Sequence, residues 1–114
     1  MKNLLIALSL IATSGCSIIL PISHDPVAFD ELISIKISIS KMQCDSKEWN
    51  QTLNQIEHLK VYTQLREDPQ SNSLVKLEEG LTKAKNSTNP TFCESVLKIE
   101  KTRIDVIFDA WRKR

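Results

Sequence analysis

Cys16, Cys44, Cys93, His24 and His58 are the side chains of this 114-residue sequence with the most chemistry to offer. Thiolates and imidazoles bind zinc when several of them recur at short, characteristic spacings. Here there is no Cys-x-x-Cys, and neither histidine is spaced like a ligand from Cys44 or Cys93, so no metal site is expected. His58, in NQIEHLKVYTQ, falls on an exposed helical face, where a solvated histidine is a simpler reading than a general base. Asp30-Glu31 and Glu78-Glu79 read as solvated helix faces rather than acid–base pairs. Beyond Gly15 the sequence holds only Gly80, too little glycine for a nucleophile elbow or a phosphate loop. No catalytic constellation, cofactor site or small-molecule substrate emerges, and the expectation is a protein that is not an enzyme.

Cys16 has a different context from the other two cysteines. Lys2 gives a short positive start, Leu4 to Ala12 form an apolar run, and Thr13-Ser14-Gly15 supply small residues before Cys16. That order is the pattern of a secretory signal, and the run is too short for a membrane-spanning helix of about 20 residues. A cysteine directly after Ser-Gly resembles the lipobox of bacterial lipoproteins, although Thr13 stands where leucine is commonest. The resemblance implies cleavage before Cys16 and acylation of its thiol, with the acyl chains as membrane anchor. With Ser17 rather than aspartate next, it implies the periplasmic face of the outer membrane. If Cys16 is acylated, Cys44 and Cys93 remain as a pair in an oxidising compartment, and a disulfide between them is the natural reading. Such a bridge contributes about 4 kcal/mol at most through its closed loop. Two buried free thiols are the bland alternative.

The elements around these residues are announced by proline. Asp25-Pro26, Asp68-Pro69 and Asn89-Pro90 each read as an N-cap followed by proline at the first helical position. Ala28, Leu32, Ile35, Ile39, Met42, Trp49, Leu53 and Ile56 then follow helical spacing along a first segment from about 26 to 65. Within it, ISIKISIS alternates with the period of a strand, but no good partner strand exists and helix is favoured. Asp45 and Glu48 would make a capping pair if the helix breaks near Cys44-Asp45. Leu74, Leu77, Leu81 and Ala84 mark a second segment from about Pro69 to Lys85. A third opens on TFCE, where Thr91 and Glu94 match a capping box, and Cys93, Val96, Leu97, Ile104, Ile107 and Trp111 line its inner face. Trp49 and Trp111 are expected in the core.

The expected fold is therefore all-α: a small three-helix bundle, or a four-helix one if the first segment breaks, closed by one disulfide and preceded by a lipoprotein signal peptide. Residues 1–15 form the signal peptide, 16–25 a lipid-anchored tether and 26–114 the helical domain. Basic and acidic side chains balance once the signal is removed, which leaves no footprint for nucleic acid or an anionic surface. Attachment to the membrane is expected through lipid, not charge.

A lipobox, an all-helical pattern, and a cysteine in the first segment (KMQC) matched by one opening the last (TFCE) together resemble the pilotin lipoproteins that deliver secretin subunits to the outer membrane. The resemblance implies a protein-binding module with a groove for an amphipathic segment of an envelope protein. Ile37, Tyr62 and Val106, which lie off the expected core stripes, are the candidate contact residues. The alternative is a phage- or plasmid-encoded lipoprotein: an outer spanin subunit using the long first segment as a coiled-coil arm, or a factor that excludes superinfection or conjugal entry.

Overall fold

The structure is a computed structural model and describes residues 22–114. Four helices make up the described residues, with no strand among them: α1 (Pro26–Ser40), α2 (Asn50–Leu65), α3 (Ser71–Asn86) and α4 (Pro90–Arg112). None of them is long and apolar enough to cross a membrane. Each helix packs on two others, α4 on both α3 and α1, so the four close into a bundle. The expected signal peptide and Cys16 lie outside the described residues.

Two of the three expected N-caps are formed. Asp25 accepts hydrogen bonds from the Val27 and Ala28 amides at 3.0 and 3.1 Å, with Pro26 at the first helical position. Asn89 does the same for α4, accepting from the Phe92 amide at 3.2 Å. Because α4 already starts at Pro90, the Thr91–Glu94 capping box is not its start. The ISIKISIS alternation lies wholly within α1, where Ile35 and Ile39 point into the core and Ile37 out of it.

Asp68 does not cap α3, which begins three residues later. Its carboxylate accepts from the Gln70 amide at 2.9 Å while the Ser71 amide donates to its carbonyl. The residue shapes a turn, and its side chain is claimed by Arg114 through two 2.6 Å bonds. Ahead of that turn α2 ends in a Schellman motif. The Asp68 amide donates to the Thr63 carbonyl and the Glu67 amide to that of Gln64, with Glu67 in the left-handed region at φ 55°.

The long first segment is divided by an irregular linker, 41–49, that carries Cys44. Asp45 and Glu48 do not cap α2; Trp49 occupies its N-cap position and makes no side-chain cap bond. Burial decides this. A cap contributes about 1 kcal/mol. Burying an indole removes at least about 150 Å² from water, which contributes roughly 4 kcal/mol. Trp49 is buried, and its indole N–H still donates to the Ser46 carbonyl at 3.1 Å. The break leaves no continuous helix over 26–65.

The apolar stripes of all four helices converge. Leu32, Ile35 and Ile39 of α1, Ile56 and Leu59 of α2, Leu74, Leu77 and Leu81 of α3, and Ile104, Ile107 and Trp111 of α4 form one core. Its antiparallel α1–α4 seam is marked by Phe29 stacked on Phe108 and, further along, by Lys36 paired with Asp105. Where α3 meets α4, the Glu100 carboxylate lies buried directly over Gly80, held by Arg103 at 2.8 Å.

Candidate partner-binding surface

The disulfide is formed: Cys44 and Cys93 are bonded with their Cα atoms 6.1 Å apart, joining the 41–49 linker to the first turn of α4. Above it opens a cavity of about 1030 Å³ between the linker, the α3–α4 turn and α4. Met42, Pro90 and Leu97 contribute its apolar walls, and Lys47, Lys98, Lys101, Asp45 and Glu94 its charges. Two of the lysines are engaged in structure. Lys101 donates to the Met42 carbonyl at 3.1 Å and Lys47 to that of Ser87, so they fasten the linker and the turn to the bundle.

Charged groups elsewhere are paired in ways that serve the fold. Lys60 of α2 bridges Glu57 (2.6 Å) and Glu78 of α3 (2.9 Å). The hydrogen bonds that its ammonium donates to both carboxylates, Glu57 first, hold it above the usual lysine range. Burial pushes the Glu78 carboxyl up, whereas Glu57 is lowered by its hydrogen bonds to Glu78 and to Lys60. His58 is exposed and sits 3.0 Å from Glu31 across α2 and α1. Among the described residues no group of three or more His, Cys, Asp or Glu side chains is placed to hold a metal ion.

The candidate contact residues do not form one patch. Tyr62 is half-buried against the core; its hydroxyl donates to Asp25 and accepts from Arg66 at 2.8 Å. It is a strut between α1 and α2. Ile37 lies 12 residues beyond Asp25, about 18 Å further along α1. Ile37 and Val106 are both exposed, and each follows a member of the Lys36–Asp105 pair in sequence, so they share one stretch of the α1–α4 pair.

Val106 belongs to a longer feature. Phe92, Ile99 and Val106 are 47, 56 and 64 % exposed and recur every seven residues, which places them on one line along α4. Asp105 and Phe108, which face α1, and Lys101, which reaches Met42 in the linker, occupy the opposite side of the helix. The line is bordered by Ser95 and Thr102 on one side and by Val96, Arg103 and Ala110 on the other, so small side chains flank it chiefly on the first side. Phe92 and Ile99 escape a reading that seeks only the inward face. The seven-residue repeat running beside the core stripe was their signal.

Comparison with protein-family models, with curated proteins and with solved structures finds no match to this chain. The function therefore rests on the chain's own sequence and geometry.

Proposed function

We propose that the protein is a non-enzymatic, lipid-anchored helical module at the periplasmic face of the outer membrane, tethered through acylated Cys16, that binds an amphipathic helix of an envelope protein in the manner of a pilotin. The observation that carries the binding role is the line Phe92–Ile99–Val106. Exposed large apolar side chains scattered singly need no explanation, but three at heptad spacing on one helix form a seam that a second helix can cover. Ser95, Thr102 and Ala110 beside that seam allow a close backbone approach. The Cys44–Cys93 bridge supports the reading by fixing the first turn of α4, where Phe92 stands.

Photocrosslinking in cells tests it. A photoreactive residue at Ile99 or Val106 is expected to give one discrete adduct whose crosslinked peptide reads as an amphipathic helix of a secretion-channel subunit. The same group at Lys83, exposed on α3, is expected to give none. Adducts of equal yield from all three positions, or no adduct from any, would overturn the binding role. An adduct with an inner-membrane lysis protein would replace the pilotin-like reading by the spanin one.

A further inference from the structure

We propose that the end of the bundle from which the tether leaves is itself a membrane-contact face, resting on the phospholipid surface through Val27 and Leu65 so that the bundle stands off the membrane and the disulfide end points away. This rests on the lipid-anchor reading of Cys16.

Val27 and Leu65 are the two most exposed large apolar side chains of the described residues, at 79 and 81 %. They lie at the same end although 38 positions separate them. Asp25, two residues before Val27, is bonded by Tyr62, and Arg66, next to Leu65, donates to the Ser23 carbonyl at 3.3 Å. The same contacts fix where the tether enters. Six residue steps separate Cys16 from Ile22, a reach of about 20 Å at full extension. An acylated Cys16 therefore keeps this end close to the headgroups, and a tethered face needs little intrinsic affinity to stay engaged.

The charge at this end argues for an apolar contact rather than an electrostatic one. Arg66 is 3.6 Å from Asp25, Arg114 is held by Asp68, and Arg112 and Lys113 share Asp109 at 2.6 and 3.0 Å. Four cations share these three carboxylates and the exposed Glu67 beside Leu65 supplies a fourth, so the end carries no net positive charge with which to choose anionic lipid. Leu65 and Val27 are what the face has left to offer. Since α1 runs away from this end for 15 residues, the Cys44–Cys93 bridge and its cavity stand about 22 Å further from the surface.

The test uses the full-length acylated protein in nanodiscs of phosphatidylethanolamine and phosphatidylglycerol containing a headgroup-spin-labelled lipid. Its intact mass is taken on the same sample. Amide relaxation enhancement falls steeply with distance from the labelled surface, and with about 22 Å between the two ends Val27 and Leu65 should exceed Lys47 and Thr88 by roughly tenfold or more. Replacing phosphatidylglycerol by phosphatidylcholine should leave that gradient in place. The paired substitutions Val27→Asp and Leu65→Asp, at exposed positions, should weaken it to the residual bias that the tether alone imposes, with the helical circular dichroism and the acyl mass unchanged. An acylated protein with equal enhancement at both ends, or with a gradient that is undiminished by the paired substitutions or requires phosphatidylglycerol, overturns the contact face alone. A mass without acyl chains overturns the anchor and this face together.

Discussion

Asp68 and Arg114 form a two-bond pair, each oxygen accepting from one guanidinium nitrogen at 2.6 Å, that ties the turn between α2 and α3 to the last residues after α4. The carboxylate is buried and Arg114 also lies 4.7 Å over the Trp111 ring, so the pair seals the end of the core at which α1 begins. Burial alone would push Asp68 up. The Arg114 hydrogen bonds, the Gln70 amide and the charges of Arg114 and Arg66 outweigh it, and the carboxyl is held below its usual range.

Asp68→Asn should therefore cost about 2 kcal/mol at neutral pH, the magnitude of hydrogen bonds to a charged group. The folded-state pKa of Asp68 is the lower one, so its contribution is complete above the unfolded value of about 3.9. It is lost as pH falls through the folded value. Urea unfolding of the two proteins should show a gap that is constant from pH 7 to 5 and closes in more acidic solution. A gap independent of pH would mean that the pair's charge is not what stabilises the turn.

Glu67→Gly should stabilise the protein by about 1 kcal/mol. A side chain in the left-handed region costs about 1–2 kcal/mol. Glycine removes that strain at the C′ position of the Schellman motif but loses part of the gain to its freer unfolded state. A rise in the thermal midpoint checks this; a fall would show that the Glu67 side chain contributes a contact larger than the strain.

Gly80→Ala inverts the usual rule for helix interiors. Alanine ordinarily adds about 1 kcal/mol there. A methyl at Gly80 would occupy the place of the Glu100 carboxylate, and displacing that buried group breaks its bond to Arg103. The substitution should destabilise by about 1 kcal/mol, within the common range for overpacking. In Glu100→Ala, by contrast, the same change should stabilise, and a double-mutant cycle measures the coupling. Equal effects in both backgrounds would remove Glu100 as the cause.

Reduction of the Cys44–Cys93 bridge should lower stability by up to about 4 kcal/mol, given the 49-residue separation. The loss should be concentrated at one end. Hydrogen exchange should accelerate first across 41–49, because there the backbone is held by the bridge, Trp49 and lysine contacts rather than by helical bonds. Uniform acceleration over all four helices would instead make the bridge a clamp on the whole bundle.

The core was legible because periodicity reports burial directly. Leu74, Leu77, Leu81 and Ala84 of α3, and Cys93, Leu97, Ile104, Ile107 and Trp111 of α4, are all buried as their spacing requires. Asp25 and Asn89 were legible as caps because a polar residue before proline has few other uses at a helix start. What local pattern could not give were the places where a distant residue outbids a local one. Asp68 is a cap by sequence and a partner of Arg114 in space. Asp45 and Glu48 match a capping pair, yet the burial of Trp49 sets where α2 begins. Tyr62 lies off the stripe and has the spacing of a surface residue, but its hydroxyl reaches Asp25 and Arg66, and neither contact leaves a trace in spacing. Val106 was visible as an exposed apolar residue, whereas its continuity with Phe92 and Ile99 required asking for a second periodicity on a helix already accounted for.

The anchor is the claim on which the proposed address, partner and membrane face all depend. Its most direct measurement is the intact mass of the protein extracted from native membranes, with and without reduction and thiol alkylation. The expected result is a mass beginning at Cys16 plus acyl chains, with two thiols alkylated only after reduction. A mass that lacks acyl chains, or that shows a thiol reactive before reduction, would contradict it and return Cys16 to the status of an ordinary residue.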